Sequence, residues 1–212
     1  MTKQSSIMFK KRTVQRRILH LAGSLFIGYY FIPDQIIYNI NKQWILFAIG
    51  FLILIIEIHR QHTKKAHALD PLLRDYENNR PASFSYFAIG SIILLSFFPQ
   101  YITIPCILST AICDPIIGIL KQSNKKFIGY VIGFSISFII FISSWFSTNI
   151  EIWILASFLA AGTLIFAEYS SNSLIDDDFL MQILPAIILF LFSYLLSNIG
   201  LSLPNQLIYA LW

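Results

Sequence analysis

The sequence predicts an all-α, polytopic membrane helix bundle of about seven transmembrane helices with its N-terminus cytoplasmic. Three observations carry this expectation. Only 12% of the 212 residues are charged and 56% are hydrophobic, whereas a soluble domain carries about 25% charged residues. The apolar residues fall in long blocks, close to the roughly 20 that cross a bilayer core as a helix. Fourteen of the fifteen Lys and Arg sort into three stretches that seven spans would place on one face, and the positive-inside rule makes that face cytoplasmic.

The chain opens with a basic segment, residues 1–17, in which Lys3, Lys10, Lys11, Arg12, Arg16 and Arg17 precede the first apolar block. No small-residue cleavage site follows, so no removable signal peptide is expected. Residues 18–212 read as one transmembrane catalytic domain. Its expected spans are Ile18–Tyr38, Trp44–Ile58, Ala82–Phe98, Tyr101–Leu120, Phe127–Ser147, Ile152–Ala167 and Ile183–Leu203. Pro33 marks a kink or an early end in the first. The second is short and would draw in its flanks. The longest polar stretch, His59–Pro81, holds Arg60, Lys64, Lys65, Arg74 and Arg80. Asp70-Pro71 in it reads as the capped start of a short surface helix. Lys121, Lys125 and Lys126 fill the loop after the fourth span, and only Lys42 falls on the other face. Cys106 and Cys113 are seven residues apart on one helical face, a pattern of packed, reduced thiols rather than metal ligands. The histidines at 59, 62 and 67 make no zinc pattern and read as loop residues.

The chemistry concentrates around Asp114. A carboxylate inside a membrane segment costs a few kcal/mol even on the lenient insertion scale and is rarely idle. Pro115 removes an amide and disfavours helical geometry at residue 114, so a helix broken at the carboxylate is expected, a common way to build an intramembrane site. Gly118 would allow close backbone approach. Lys121, Lys125 and Lys126 follow at once and could bind phosphate as point charges, or serve topology alone. Glu168 and Asp176-Asp177-Asp178 lie near the same face, ahead of the seventh span. They read either as a solvated acidic turn favouring the amino end of that helix, or as a Mg²⁺ site shared with Asp114 across the bundle. Arg60 and Arg74, near Glu57 and Glu77, suit either phosphate or a structural carboxylate partner. No P-loop, Rossmann fingerprint or nucleophile–histidine arrangement is present.

Taken in order, these pieces resemble the polytopic CTP-dependent lipid kinases, which comprise dolichol kinase, phytol kinase and the yeast-type diacylglycerol kinase. Bacterial relatives are often labelled phosphatidate cytidylyltransferases. The resemblance begins at Arg17-Ile18-Leu19-His20-Leu21-Ala22-Gly23. It continues through Glu57, Arg60, Arg74, Glu77 and Ser85-Tyr86-Phe87-Ala88-Ile89-Gly90, and peaks at Ala111-Ile112-Cys113-Asp114-Pro115-Ile116-Ile117-Gly118. Lys125 and Lys126, followed by Gly129 and Gly133, are similar to the family's lysine-then-glycine continuation. Glu168 and Ile175-Asp176-Asp177-Asp178-Phe179-Leu180, with Pro185, resemble its late acidic motif, with Asp178 in place of asparagine.

That resemblance implies Mg²⁺-dependent transfer of the γ-phosphoryl group of CTP to the hydroxyl of a membrane lipid alcohol of polyprenol, dolichol, phytol or diacylglycerol type. It implies Asp114, Glu168, Asp176 and Asp177 as metal ligands and Asp114 and Asp177 as catalytic carboxylates. Lys121, Lys125, Lys126, Gly118, Gly129, Arg60 and Arg74 would contact nucleotide or phosphate. The active site would face the cytoplasm from a bacterial inner membrane or its equivalent, with no nucleic-acid partner. Two other readings stay open from the residues: synthesis of a CDP-lipid from phosphatidate, and a non-enzymatic small transporter or scaffold using Asp114 as an ion site.

Overall fold

The computed structural model describes residues 15–35, 41–63, 73, 77, 80–145, 150–170 and 176–203. The basic residues before 15, the surface helix expected from Asp70, and Arg74 lie outside them. Seven helical elements follow one another among the described residues. We number them α1 (helical over 15–22, then a 3₁₀ stretch Gly23–Phe31), α2 (Lys42–Thr63), α3 (Ser83–Phe97), α4 (Gln100–Gln122), α5 (Lys126–Ser144), α6 (Ile150–Ser170) and α7 (Asp177–Asn198). The five helices α2, α4, α5, α6 and α7 are long and apolar enough to cross a membrane. The 15 residues of α3 reach only about 22 Å as a helix. The protein is thus a helical membrane bundle.

Helix edges follow local chemistry. α1 ends at Phe31, two residues before Pro33, so the proline marks an early end rather than a kink. α2 runs five residues past the expected Ile58, because Glu57 is bonded within the helix by Arg60 and, at 2.9 Å, by Gln61. That extension turns His59 and His62 from loop into helix. α4 passes to α5 through a three-residue turn. The Lys125 N–H bonds the Leu120 carbonyl at 2.8 Å and the Asn124 N–H bonds that of Lys121 at 3.2 Å, the two bonds of a Schellman cap. Asn124 sits at φ 56°, the left-handed conformation asparagine tolerates.

The helix broken at Asp114 does not occur. α4 is continuous from Gln100 to Gln122 through both Pro105 and Pro115. A proline leaves the carbonyl four residues earlier without its helical donor. At Pro105 that carbonyl belongs to Tyr101, and the indole N–H of Trp145 supplies the bond at 2.9 Å. A neighbouring element thus satisfies the helix where its own ladder is cut. α4 can draw on them because it is the central element: 72% of its apolar window is buried, against 11% for α2 at the edge. It packs on α5 and α7 and also meets α1 and α3.

Small residues set the close contacts. A Cβ on Gly133 of α5 would lie 2.7 Å from Ile117 Cδ1 of α4, and one on Gly129 would lie 3.2 Å from Leu120 Cβ. The α3–α7 contact is polar and periodic. Ser83 bonds Asp178, Gln182 Nε2 donates to the Phe87 carbonyl at 3.2 Å, and Ser91 donates to Gln182 at 3.2 Å. The steps of four residues on both helices keep these groups on facing stripes. Cys106 and Cys113 are buried free thiols, as their spacing predicts.

Gly133→Leu is expected to force α4 and α5 apart and destabilise the bundle by about 1–3 kcal/mol. Gly162→Ala, where a Cβ meets nothing within 4 Å, should be neutral or stabilising. Thermal unfolding in detergent micelles measures both.

Candidate metal centre

Antiparallel alternation brings the polar ends of six helices together. The site is built from the second turn of α1, the last turns of α2 and α6, the first turns of α3 and α7, and α4 two turns in from its C-terminus. Asp176 caps α7, its side chain accepting from the Asp178 N–H at 3.3 Å. Asp177 and Asp178 form the first helical turn. The expected loop of acids ahead of the seventh span is therefore the helix start itself. Capping and the positive end of the helix dipole favour carboxylates there and extend α7 six residues beyond the apolar run.

The α4–α7 contact sets Asp114 against these acids, and α6 delivers Glu168. Asp114, Glu168 and Asp177 each offer an oxygen within 4.8 Å of the others. Asp114 is shared with a second group, His20 and Asp178, of the same span. His20 Nδ1 lies 3.7 Å from Asp114 Oδ2 and His20 Nε2 lies 3.4 Å from Asp178 Oδ2. Asp114, Glu168, Asp176 and Asp178 are all at most 5% exposed.

The charges do not balance. Among the described residues, five carboxylates, Asp114, Glu168, Asp176, Asp177 and Asp178, gather beside fewer fixed cations: Lys121 on Glu168, Arg80 2.9 Å from Asp176, and Arg17, whose charge acts on Asp114. Buried charge of one sign must bind protons or a cation. Asp178 Oδ1 is buried with no hydrogen-bond partner, and so are both nitrogens of His20. Clustered carboxylate oxygens suit a hard divalent ion, so the residues present fit a divalent metal centre. Outside the spanning helices, Asp176 shows the same strain. Burial, then the charge of Asp177, push its carboxyl up to about 7, against the pull of its hydrogen bonds with Asp178.

The remaining expected site residues divide. Lys121 reaches the cluster through Glu168. Lys125 and Lys126 are exposed beside it, and the Lys126 ammonium lies over the rings of Tyr130 and Tyr169. Gly118 takes no close approach, since a Cβ there would meet nothing within 4 Å. It lies between Asp114 and Lys121 on one face of α4, at i, i+4 and i+7, and leaves room there. Gly129 belongs to the α4–α5 packing contact instead. Arg60 is a structural residue: buried, it pairs with Glu57 at 2.5 Å and bonds the carbonyls of Glu77 at 3.1 Å and Arg80 at 2.7 Å. Glu57 in turn accepts from the Ala82 N–H at 3.3 Å and the Ser85 hydroxyl at 3.1 Å. This network ties the end of α2 to the start of α3, and so sets Arg80 and Ser83 against the acids of α7. Sequence reasoning placed neither His20 nor Ser83 in the site. The signals for His20 were its polar side chain in an apolar segment and its place in the Arg17–Gly23 stretch where the family resemblance begins.

Comparisons of the chain with protein-family models, with characterised proteins and with solved structures give no match.

Two outcomes follow. Arg60→Ala strands a buried Glu57 and should cost about 3–5 kcal/mol, while the exposed Lys125→Ala should cost under about 0.5 kcal/mol; chemical or thermal unfolding in micelles compares them. Asp176 holds its proton more tightly folded than unfolded. Its contribution to stability is therefore full below about pH 4 and lost as pH rises through about 7. With chelator present, the unfolding temperature should fall over that window. A divalent cation should flatten the fall by taking the proton's place.

Proposed function

We propose that this protein is a CTP-dependent lipid kinase, transferring the γ-phosphoryl group of CTP to the hydroxyl of a membrane lipid alcohol at the cytoplasmic end of the bundle. The observation that carries the reading is the meeting of Asp114 with Glu168 and the α7 acids beside Lys121. Carboxylates able to hold a divalent ion, next to ammonium groups, are the parts phosphoryl transfer needs, since its catalysis is mostly positioning and electrostatics. The order of motifs from Arg17 to Pro185 supports the family assignment, and the sorting of Lys and Arg supports a cytoplasmic N-terminus and up to seven crossings.

Asp114, Glu168 and Asp177 would hold Mg²⁺, with Asp176 positioning the start of α7. When bound, the ion offsets the charge of the β- and γ-phosphates. The open face of α4 at Gly118 gives the phosphates a place between the carboxylate and Lys121, with Lys125 and Lys126 at its rim. The alcohol oxygen attacks the γ-phosphorus and a new P–O bond forms. The bond from that phosphorus to the β-bridging oxygen breaks, and CDP leaves with the electron pair. The hydroxyl proton passes to a carboxylate of the cluster, with Asp114 and Asp177 the residues placed to receive it.

Purified protein supplied with Mg²⁺ and γ-labelled CTP should move label into an organic-soluble product. Asp114→Asn should reduce that transfer at least a thousandfold with unchanged folding. Label appearing in lipid from α-labelled CTP and phosphatidate would mean cytidylyl transfer instead, and no transfer from either position would remove the enzymatic reading. Gly118→Leu should raise KM for CTP tenfold or more while leaving the unfolding temperature within a degree or two, because a Cβ there meets nothing within 4 Å.

A further inference from the structure

An apolar pocket of about 240 Å³, open on one side, lies between α1, α2 and α3. Its walls are apolar: Phe26 of α1, Ile53 of α2, and Phe84, Phe87 and Ala88 of α3 are among them. The single polar side chain in its lining is His20. That histidine is 4% exposed and neither ring nitrogen has a hydrogen-bond partner. The carboxylate oxygens of Asp114 and Asp178 lie at 3.7 and 3.4 Å from the ring, in ion-pair range but not hydrogen-bonded to it. A buried polar group without a partner costs free energy that a ligand could recover. The pocket thus joins an apolar slot to the carboxylate cluster through one ring that lacks a hydrogen-bond partner.

We propose that this slot is the acceptor site, taking the single apolar chain of a lipid alcohol whose hydroxyl bonds to His20 and is so held beside Asp114 and Asp178. The inference rests on the kinase reading and deepens it by naming where the alcohol enters and how many chains it carries. The volume is below the roughly 300–1,000 Å³ of pockets that enclose a whole drug-sized ligand. It takes one chain segment, with the rest of the chain left in the bilayer. A two-chain glycerolipid would have to thread one chain and leave the other against α2 and α3. Moving a chain from lipid into the slot yields little hydrophobic gain, because lipid tails are as apolar as the walls. Selection falls instead to the width of the slot and to the hydrogen bond at His20. His20 is a positioning residue here, setting the hydroxyl oxygen against the cluster.

The test uses the full chain in phosphatidylcholine nanodiscs, with γ-labelled CTP and two acceptors: a twenty-carbon isoprenoid alcohol and a diacylglycerol. The single-chain alcohol should be preferred by tenfold or more in kcat/KM. Ala88→Phe, which narrows the slot, should raise KM for that alcohol at least tenfold with KM for CTP unchanged. His20→Ala should lower kcat/KM for the alcohol about a hundredfold, and His20→Asn, which keeps a hydrogen-bonding group, should recover part of it. An active enzyme whose alcohol KM and acceptor preference ignore all three substitutions would overturn the proposal. Should wild-type protein transfer no label at all, the kinase reading fails by itself, and photolabelling then decides the slot. A diazirine-bearing isoprenoid alcohol should cross-link within Phe84–Ala88 of the wild-type protein, competed by unlabelled alcohol. Labelling confined to other segments overturns the proposal, whatever the folding of the variants.

Discussion

Asp114 faces two groups of side chains at once, and the arrangement of the bundle's polar end depends on that position. On one side it meets Glu168 and Asp177, on the other His20 and Asp178. A carboxylate at this depth is stable only with partners or a counter-ion. Its helix must therefore be central, so that α1, α6 and α7 can all reach it. α4 meets this need as the most buried of the five long helices. Its two prolines do not break it: most of the helix is buried against neighbouring elements, and Trp145 satisfies the carbonyl that Pro105 leaves bare.

Around that centre the protein uses two kinds of contact. Apolar and small-residue packing joins α4 to α5, where Gly129 and Gly133 let the backbones approach. Polar bonds at steps of four residues join α3 to α7, and a buried ion pair with two carbonyl contacts joins α2 to the start of α3. The division has a physical reason. In a bilayer no hydrophobic gain favours one helix packing over another, so close fit and hydrogen bonds decide the order of neighbours. The polar contacts lie at the end where the carboxylates gather, and they hold α7's first turn in place against the mutual repulsion of its three acids.

Much of the site was legible in the sequence, and its gaps have identifiable causes. Asp114 stood out because a lone carboxylate in an apolar run is costly. The α7 acids and Glu168 stood out because positive charges alone suffice for membrane orientation. Arg60 misled: an arginine near a candidate phosphate site reads the same whether it binds ligand or pairs with Glu57, three residues before it. Gly118 and Gly129 exchanged their expected characters, since whether a glycine faces open space or a neighbouring helix depends on which side of the helix is covered. His20 sits in the Arg17–Gly23 stretch that opens the resemblance, but that stretch names no partner for it, and its neighbours Asp114 and Asp178 are supplied only where helices meet.

The sequence by itself determined that this chain lives in a membrane as a bundle of helices, where the centres of those helices fall, and which end collects the charge. Each of these depends on composition along a single stretch of chain. Tertiary structure alone decided that α4 stays unbroken, that α7 begins at its acids, that Arg60 is consumed by Glu57, and that an apolar cavity ends at His20. Those outcomes turn on which neighbour satisfies a freed carbonyl, a buried charge or a bare ring nitrogen, and helices distant in sequence supply several of these partners.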